Sequence, residues 1–63
     1  MKILENSIWI NNKNKREYQV VKEALDCTNE RDGLEVVVYI CKEIPEKLFV
    51  REKSEFLNKF TLK

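Results

Sequence analysis

The side chains in this chain that are best suited to chemistry are aromatic and basic. Aromatic rings stack on unpaired nucleic-acid bases, and Lys or Arg side chains neutralise the phosphates between them. The candidate stacking residues are Trp9, Tyr18 and Tyr39, and the candidate phosphate contacts are Lys13, Lys15, Arg16 and Arg51. The charge balance opposes this chemistry. Twelve Lys and Arg face eleven Asp and Glu, for a net charge of +1, so counterion release can contribute little affinity.

Acid–base catalysis has weaker support. The chain contains no histidine, and general acid–base work usually relies on His or on carboxylates retuned in a dry cleft. Glu30 and Asp32 are close neighbours, but the residues around them are typical of a solvated turn. With one glycine in the whole chain, a glycine-rich phosphate loop is excluded. The sequence therefore predicts no catalytic residue and a protein that is not an enzyme.

The only cysteines, Cys27 and Cys41, predict neither a metal site nor a disulfide. A structural zinc site needs four ligands, mostly Cys or His, so we expect no metal and no other cofactor. If a hairpin through Thr28–Gly33 joins the two segments, the thiols lie roughly 20 Å apart at ~3.3 Å per residue, too far to bridge. We expect both to be small buried apolar side chains in a reducing compartment.

The elements that must position these side chains are strands. Apolar runs rich in β-branched and aromatic residues, bounded by turn residues, predict strands at Ser7–Ile10, Glu17–Cys27, Leu34–Cys41 and Leu48–Arg51. Asn6 and the pair Asn11–Asn12 bound the first strand, because Asn bonds its own backbone and tolerates left-handed conformations. Val20–Val21 breaks the period-two alternation that begins at Tyr18, which predicts a bulge. A helix remains the alternative for the second segment, where apolar residues also recur at i, i+4.

Turns and a terminal helix complete the pattern. Thr28–Gly33 is predicted to be a turn, with Gly33 supplying a positive φ. Glu43–Lys47, which contains the only proline, is predicted to be the second turn. Ser54–Phe60 is predicted to form a short helix capped by Ser54, with Phe56, Leu57 and Phe60 on one apolar stripe.

These elements predict one domain, residues 1–63, of mainly β structure. Its fold class is a small, strongly bent, four-stranded antiparallel sheet, or a barrel made by curling that sheet, with a short C-terminal helix. The segment Leu34–Cys41 has no polar face: Val36, Val38 and Ile40 share one side, and Val37, Tyr39 and Cys41 share the other. One side is expected to fill the interior, and the other to lie under the terminal helix or under a partner.

Several positions resemble a family of short uncharacterised bacterial and phage domains. The matching residues, over residues 8–60, are Trp9, Tyr18-x-Val20, Ala24, Thr28-x-Glu30, Val37-Val38-Tyr39, Val50-Arg51 and Phe56. That family typically reads Tyr-x-His-x-Lys-Gly, Tyr-x-Val, Val-Val-Tyr and Trp-Val-Arg-Pro before a late Phe. The resemblance implies an SH3-like barrel and no assigned activity. This chain lacks the His and Lys-Gly and has Phe49 for the Trp and Glu52 for the Pro, so a ligand bound through that His or Trp is not implied.

No segment predicts membrane insertion. The longest apolar runs fall well short of the ~20 residues needed to span a bilayer, and Met1–Asn6 reaches Glu5 before any apolar signal region can form. We therefore expect a cytoplasmic protein.

The sequence best predicts a small binding module. We expect it to act through a protein partner or self-association, and the family resemblance implies a bacterial or phage accessory protein that blocks a host complex. No small-molecule substrate is evident. Glu30 and Asp32, within the acidic segment Glu23–Glu35, are candidate contacts for a basic target surface. The alternative is a nucleic-acid-binding module that uses Trp9, Tyr18 and the basic loop 13–16.

Overall fold

The computed structural model describes residues 2–28 and 33–63. The elements, in chain order, are β1 (Ile8–Asn11), β2 (Glu17–Asp26), β3 (Leu34–Cys41), β4 (Ile44–Glu52), α1 (Lys53–Lys59) and β5 (Phe60–Leu62). The strands form one sheet in the order β4-β3-β2-β1-β5, and each neighbouring pair is antiparallel. The prediction of a mainly β chain is confirmed, whereas the predicted number of four strands is wrong.

The long hairpin of β2 and β3 forms the centre of the sheet. Val20 pairs with Tyr39, but the next pair is Lys22 with Val38, so Val21 is the extra residue of a β-bulge. The bulge expected at Val20–Val21 is therefore confirmed, and the helical alternative for this segment is wrong. A bulge increases the local twist and bends its strand, so β2 is expected to bend at Val21.

The connection between β3 and β4 is tighter than predicted. The chain turns at Lys42 and Glu43, and β4 already begins at Ile44, so most of the predicted turn Glu43–Lys47 is strand. Cys41 pairs with Ile44 and Tyr39 pairs with Phe49, which leaves residues 45–48 opposite Ile40 alone. This irregularity accommodates Pro45, which has no amide to donate to a regular ladder.

The C-terminal segment departs furthest from the prediction. Helix α1 ends one residue before Phe60, whose φ of −126° and ψ of 151° are already extended. Phe60 pairs with Asn11 and Leu62 with Trp9, which adds β5 to the free edge of β1. Glu52, and not Ser54, occupies the N-cap, without a side-chain capping bond.

The sheet keeps two edges, β4 and β5, and these strands do not pair in the described part of the chain. The sheet is therefore open, and the closed barrel is not supported. Helix α1 connects the two edge strands and contacts β3, β4 and β5. It thus occupies the space between the edges on one face of the curled sheet.

The core lies between α1 and that face. Its buried members are Ile3, Trp9, Val20, Val37, Tyr39, Phe56 and Phe60. Phe56 stacks on Phe60 with ring centroids 4.3 Å apart, and Trp9 meets Phe56 edge-on at 5.2 Å. Leu57 packs against the cluster. All three residues of the predicted apolar stripe therefore face the core, but Phe60 does so from β5 and not from the helix. Each favourable aromatic pair adds about 0.5–1.5 kcal/mol beyond its buried area.

The two cysteines differ in environment. Cys41 is buried on the helix-covered side of β3, as expected, whereas Cys27 is exposed. Strand β2 ends at Asp26, so Cys27 lies past the sheet, and its predicted burial is wrong. Both thiols are free.

Candidate interaction surfaces

The aromatic residues proposed to stack on bases lie in or against the core. Trp9 and Tyr39 are each 3% exposed, and the Trp9 indole Nε1 donates to the Ser7 hydroxyl at 2.9 Å. Tyr18 is half-buried, and its ring meets those of Tyr39 and Phe60 edge-on at 5.7 and 5.2 Å. In this arrangement Trp9 and Tyr39 offer no open face for a base, and Tyr18 is only partly accessible.

The basic loop between β1 and β2 is exposed and built on asparagines. Asn11 Oδ1 accepts from the backbone amides of Lys13 and Asn14 at 2.8 and 3.1 Å. Lys15 adopts a left-handed φ of 64°, and Arg16 pairs with the Glu43 carboxylate at 3.4 Å. The loop therefore holds Lys13 and Lys15 in solvent, while Arg16 has an acidic neighbour.

Arg51 is anchored on the helix-covered side of the sheet. Its Nε donates to the Tyr39 hydroxyl at 3.1 Å, its Nη1 donates to the Glu55 carboxylate, and its guanidinium carbon lies 6.0 Å from the centroid of the Phe60 ring. The hydrogen bond to Tyr39 raises the pKa of Arg51 above its ordinary value. Among the predicted basic contacts, Lys13 and Arg51 line the same cleft.

Only the two ends of the predicted acidic segment, residues 23–28 and 33–35, are among the described residues. Glu30 and Asp32 lie outside the described residues. Glu23, from the same acidic segment, accepts from the Ile3 amide at 3.1 Å and pairs with Lys53 Nζ at 2.9 Å, so it joins the N-terminal segment and α1 to the sheet. The hydrogen bond from Lys53 is the main cause that lowers the pKa of Glu23, and the bond from the Ile3 amide adds to it. The Lys53–Glu23 bond also raises the pKa of Lys53.

This contact predicts a loss of stability in acid. Because the pKa of Glu23 is lower in the folded chain than its ordinary value of 4.5, the unfolded chain binds the proton first, and stability falls as pH drops below about 5. Glu17, whose pKa is lowered by its hydrogen bond from Lys63, contributes in the same direction. We expect the free energy of unfolding of Glu23→Gln to fall less steeply with decreasing pH than that of the wild type. Urea unfolding at successive pH values measures this slope. Glu46→Gln is the control, because Glu46 has no ion pair in the described part of the chain, and it should keep the wild-type dependence of stability on pH. The same dependence in the wild type and both variants would contradict the role of Glu23.

The second face of the sheet carries exposed apolar side chains. Val38 pairs with Val50, and both point away from the core side of Val37 and Tyr39 because side chains alternate along a strand. Leu48 and Ile40 lie on the same side. Leu48 is 68% and Val50 64% exposed, and Val38 and Ile40 are partly buried. We call these four residues the open face.

Charged side chains of both signs border the open face. Lys22 pairs with Val38 on β2, and Glu52 follows along β4 on the same side as Val50. An apolar centre with a polar rim is the usual anatomy of a protein interface. Leu48 and Val50 were not among the predicted site residues, although their alternation with Phe49 and Arg51 indicates a two-sided strand.

Within residues 2–28 and 33–63, no helix is long and apolar enough to cross a membrane. No group of three or more His, Cys, Asp or Glu side chains in the same residues is placed to hold a metal ion.

No protein-family model, curated protein or solved structure matches this chain. The resemblance to short SH3-like domains therefore stays a prediction.

Proposed function

We propose that this chain is a non-enzymatic binding module that docks a protein partner on its open face. The observation that carries the proposal is the exposure of Leu48 and Val50 beside Val38 and Ile40. Contiguous exposed apolar side chains with a polar rim are typical of interaction sites in soluble proteins. Burying them removes apolar surface from water, at roughly 25 cal/mol per Å².

The position of β4 adds a second means of attachment. It is an edge strand, so its outer backbone amides and carbonyls can pair with an extended segment of a partner. Leu48 and Val50 are on this same strand. A partner that adds a strand to β4 would therefore also contact the open face.

Protein docking is favoured over single-strand nucleic-acid binding. Binding without sequence preference combines a basic groove with accessible aromatic rings, and Trp9 and Tyr39 are buried. Five cations, Arg16, Lys42, Arg51, Lys53 and Lys63, each pair with a glutamate, which weakens the attraction for a polyanion. The open face, in contrast, is apolar at its centre and suits a protein surface.

The resemblance in sequence extends the proposal to a biological setting. We propose that the module is a bacterial or phage accessory protein with an SH3-like architecture, acting in the cytoplasm by covering a surface of a host complex. The mainly β antiparallel sheet is the part of this architecture that the chain has, whereas its sheet is open and not closed into a barrel. An acidic contact through Glu30 and Asp32 is part of the same proposal, and charge reversal at both positions should then weaken capture of the partner.

Charges placed on the open face test the docking proposal. Leu48→Glu/Val50→Glu should reduce partner capture at least about tenfold, because two carboxylates would be buried in an apolar interface. The two sites are already exposed, so the fold should persist. Leu25→Glu is the matched control: Leu25 is 60% exposed and pairs with Glu35, on the side of the sheet that carries α1.

Affinity capture from nuclease-treated bacterial lysate, quantified by mass spectrometry, supplies the measurement. The proposal predicts one set of proteins enriched by the wild-type chain and by Leu25→Glu but lost with the open-face variant. Capture of the same set at the same level by all three proteins would contradict it. Circular dichroism of each variant confirms that the comparison is between folded proteins.

A further inference from the structure

A basic cleft lies on the other side of the molecule from the open face. It has a volume of about 300 Å³ and is lined by Asn11, Asn12, Lys13, Arg51, Asn58 and Lys59. The three cations come from three separate elements: the β1–β2 loop, β4 and α1. Within the described residues the lining includes no carboxylate, although the Glu55 carboxylate bonds Arg51 from beside the cleft. Such a concentration of positive charge is notable in a chain whose net charge is +1.

The cations of the cleft keep free donors. Lys13 and Lys59 make no ion pair or side-chain hydrogen bond within the described residues, in contrast to Lys42, Lys53 and Lys63. Arg51 is held in place by the Tyr39 hydroxyl at Nε and by the Glu55 carboxylate at Nη1. Glu55 compensates part of the charge of Arg51, while the Arg51 Nη2 donates to no described group and is left for a ligand. A guanidinium fixed in this way is oriented before a ligand arrives, which reduces the entropy lost on binding.

The neutral residues of the cleft give it a fixed frame. The backbone N–H of Asn12 donates to the Lys59 carbonyl at 2.9 Å, and its side-chain Oδ1 accepts from the Thr61 hydroxyl at 2.6 Å. These bonds tie the loop to the end of α1 and to β5. They also satisfy a helix-end carbonyl that would otherwise repel an anion. The side-chain amides of Asn11 and Asn58 donate to no described group and add neutral donors.

We propose that this cleft binds a phosphate group, either free phosphate or the phosphate of an ester. Phosphate offers several charged acceptor oxygens, which suit one planar guanidinium, two mobile ammonium groups and amide donors. The cleft is separate from the open face, because Arg51 and Val50 are successive residues of β4 with opposite directions. The proposal therefore does not depend on the protein partner.

Amide chemical shifts of the isotope-labelled full-length chain test the proposal at constant ionic strength. Inorganic phosphate is expected to produce saturable shifts at residues 11–13 and 58–59, complete by about 50 mM, as a millimolar dissociation constant requires. Sodium acetate serves as the comparison anion and should give weaker shifts at these positions. A parallel titration with octathymidylate distinguishes the source: tighter binding than phosphate assigns the site to phosphodiesters, and weaker binding assigns it to free phosphate or small esters.

Variants locate the response. Lys13→Gln and Lys59→Gln should each weaken phosphate binding about three- to fivefold, the effect of one partly solvated charge contact. Lys47→Gln, an exposed lysine of β4 outside the cleft, should leave the dissociation constant unchanged. Absence of saturable shifts, or equal weakening by all three substitutions, would overturn the proposal. Unchanged spectra away from the substituted residue establish that each variant is folded.

Discussion

Phe56→Ala is expected to remove about 3–5 kcal/mol from the free energy of unfolding. The side chain is fully buried, stacks on Phe60 at 4.3 Å, and meets the rings of Trp9 and Tyr39 edge-on, both at 5.2 Å. At roughly 0.05–0.15 kcal/mol per residue, a chain of this length has a total stability of only about 3–9 kcal/mol. The loss is therefore about a third or more of the total stability, and the variant should unfold at a much lower urea concentration than the wild type.

Urea unfolding followed by near-ultraviolet circular dichroism measures the loss. Leu62→Ala is the control, because Leu62 is 50% exposed at the far end of β5 and should cost less than about 1 kcal/mol. If Phe56→Ala cost no more than the control, α1 would not cover the sheet, and the core described above would be wrong.

Trp9→Ala is expected to lose about 3–5 kcal/mol for a related reason. Trp9 is 3% exposed, and its removal leaves a cavity between the sheet and Phe56. Loss of the indole also leaves the Ser7 hydroxyl without its donor. If Trp9 were instead exposed for stacking on bases, its replacement by Ala would change the free energy of unfolding by no more than about 0.5 kcal/mol. The stability of this variant therefore separates a structural role from a stacking role.

Ser7→Ala provides the matched comparison for Trp9. It removes the acceptor of the indole N–H and should cost about 1 kcal/mol while the ring stays in place. Intrinsic fluorescence supplies a second readout, since the only tryptophan should resist quenching by acrylamide. A stable Trp9→Ala protein that has lost affinity for single-stranded DNA would contradict the structural assignment and restore the nucleic-acid alternative.

The local features of the fold could be predicted because each depends on neighbouring residues. The doubled Val20–Val21 interrupts a period-two pattern and forms a bulge. Asn6 and Gly33 adopt φ values of 67° and 86°, as the turn chemistry of Asn and Gly suggests. The Phe56/Leu57/Phe60 stripe likewise identifies the side of the C-terminal segment that packs.

The features that were missed depend on distant parts of the chain. Strand β5 exists because α1 returns the chain to the free edge of β1, and a three-residue run such as Phe60–Leu62 carries no strand pattern of its own. The prediction of four strands, with a closed barrel as one possibility, was wrong in the strand number because β5 could not be recognised from its own residues. Whether β4 meets another edge depends on where the helix places β5.

The face of the sheet on which each aromatic residue lies could also not be predicted from the residue types. Trp9, Tyr18 and Tyr39 are of the types that stack on bases and equally of the types that fill cores. The register decides between these roles: Trp9 pairs with Tyr18, and Tyr18 pairs with Cys41, so these side chains share the face that α1 covers. Leu48 and Val50 lie on the face that remains open.

Solvent accessibility of individual methyl groups tests the central claim most directly. In a monomeric sample with a soluble gadolinium chelate, methyl protons of Leu48 and Val50 are predicted to relax several times faster than those of Val20 and Val37, which are fully buried. Equal protection of all four residues, or fast relaxation at Val37, would contradict a sheet with one covered face and one open face.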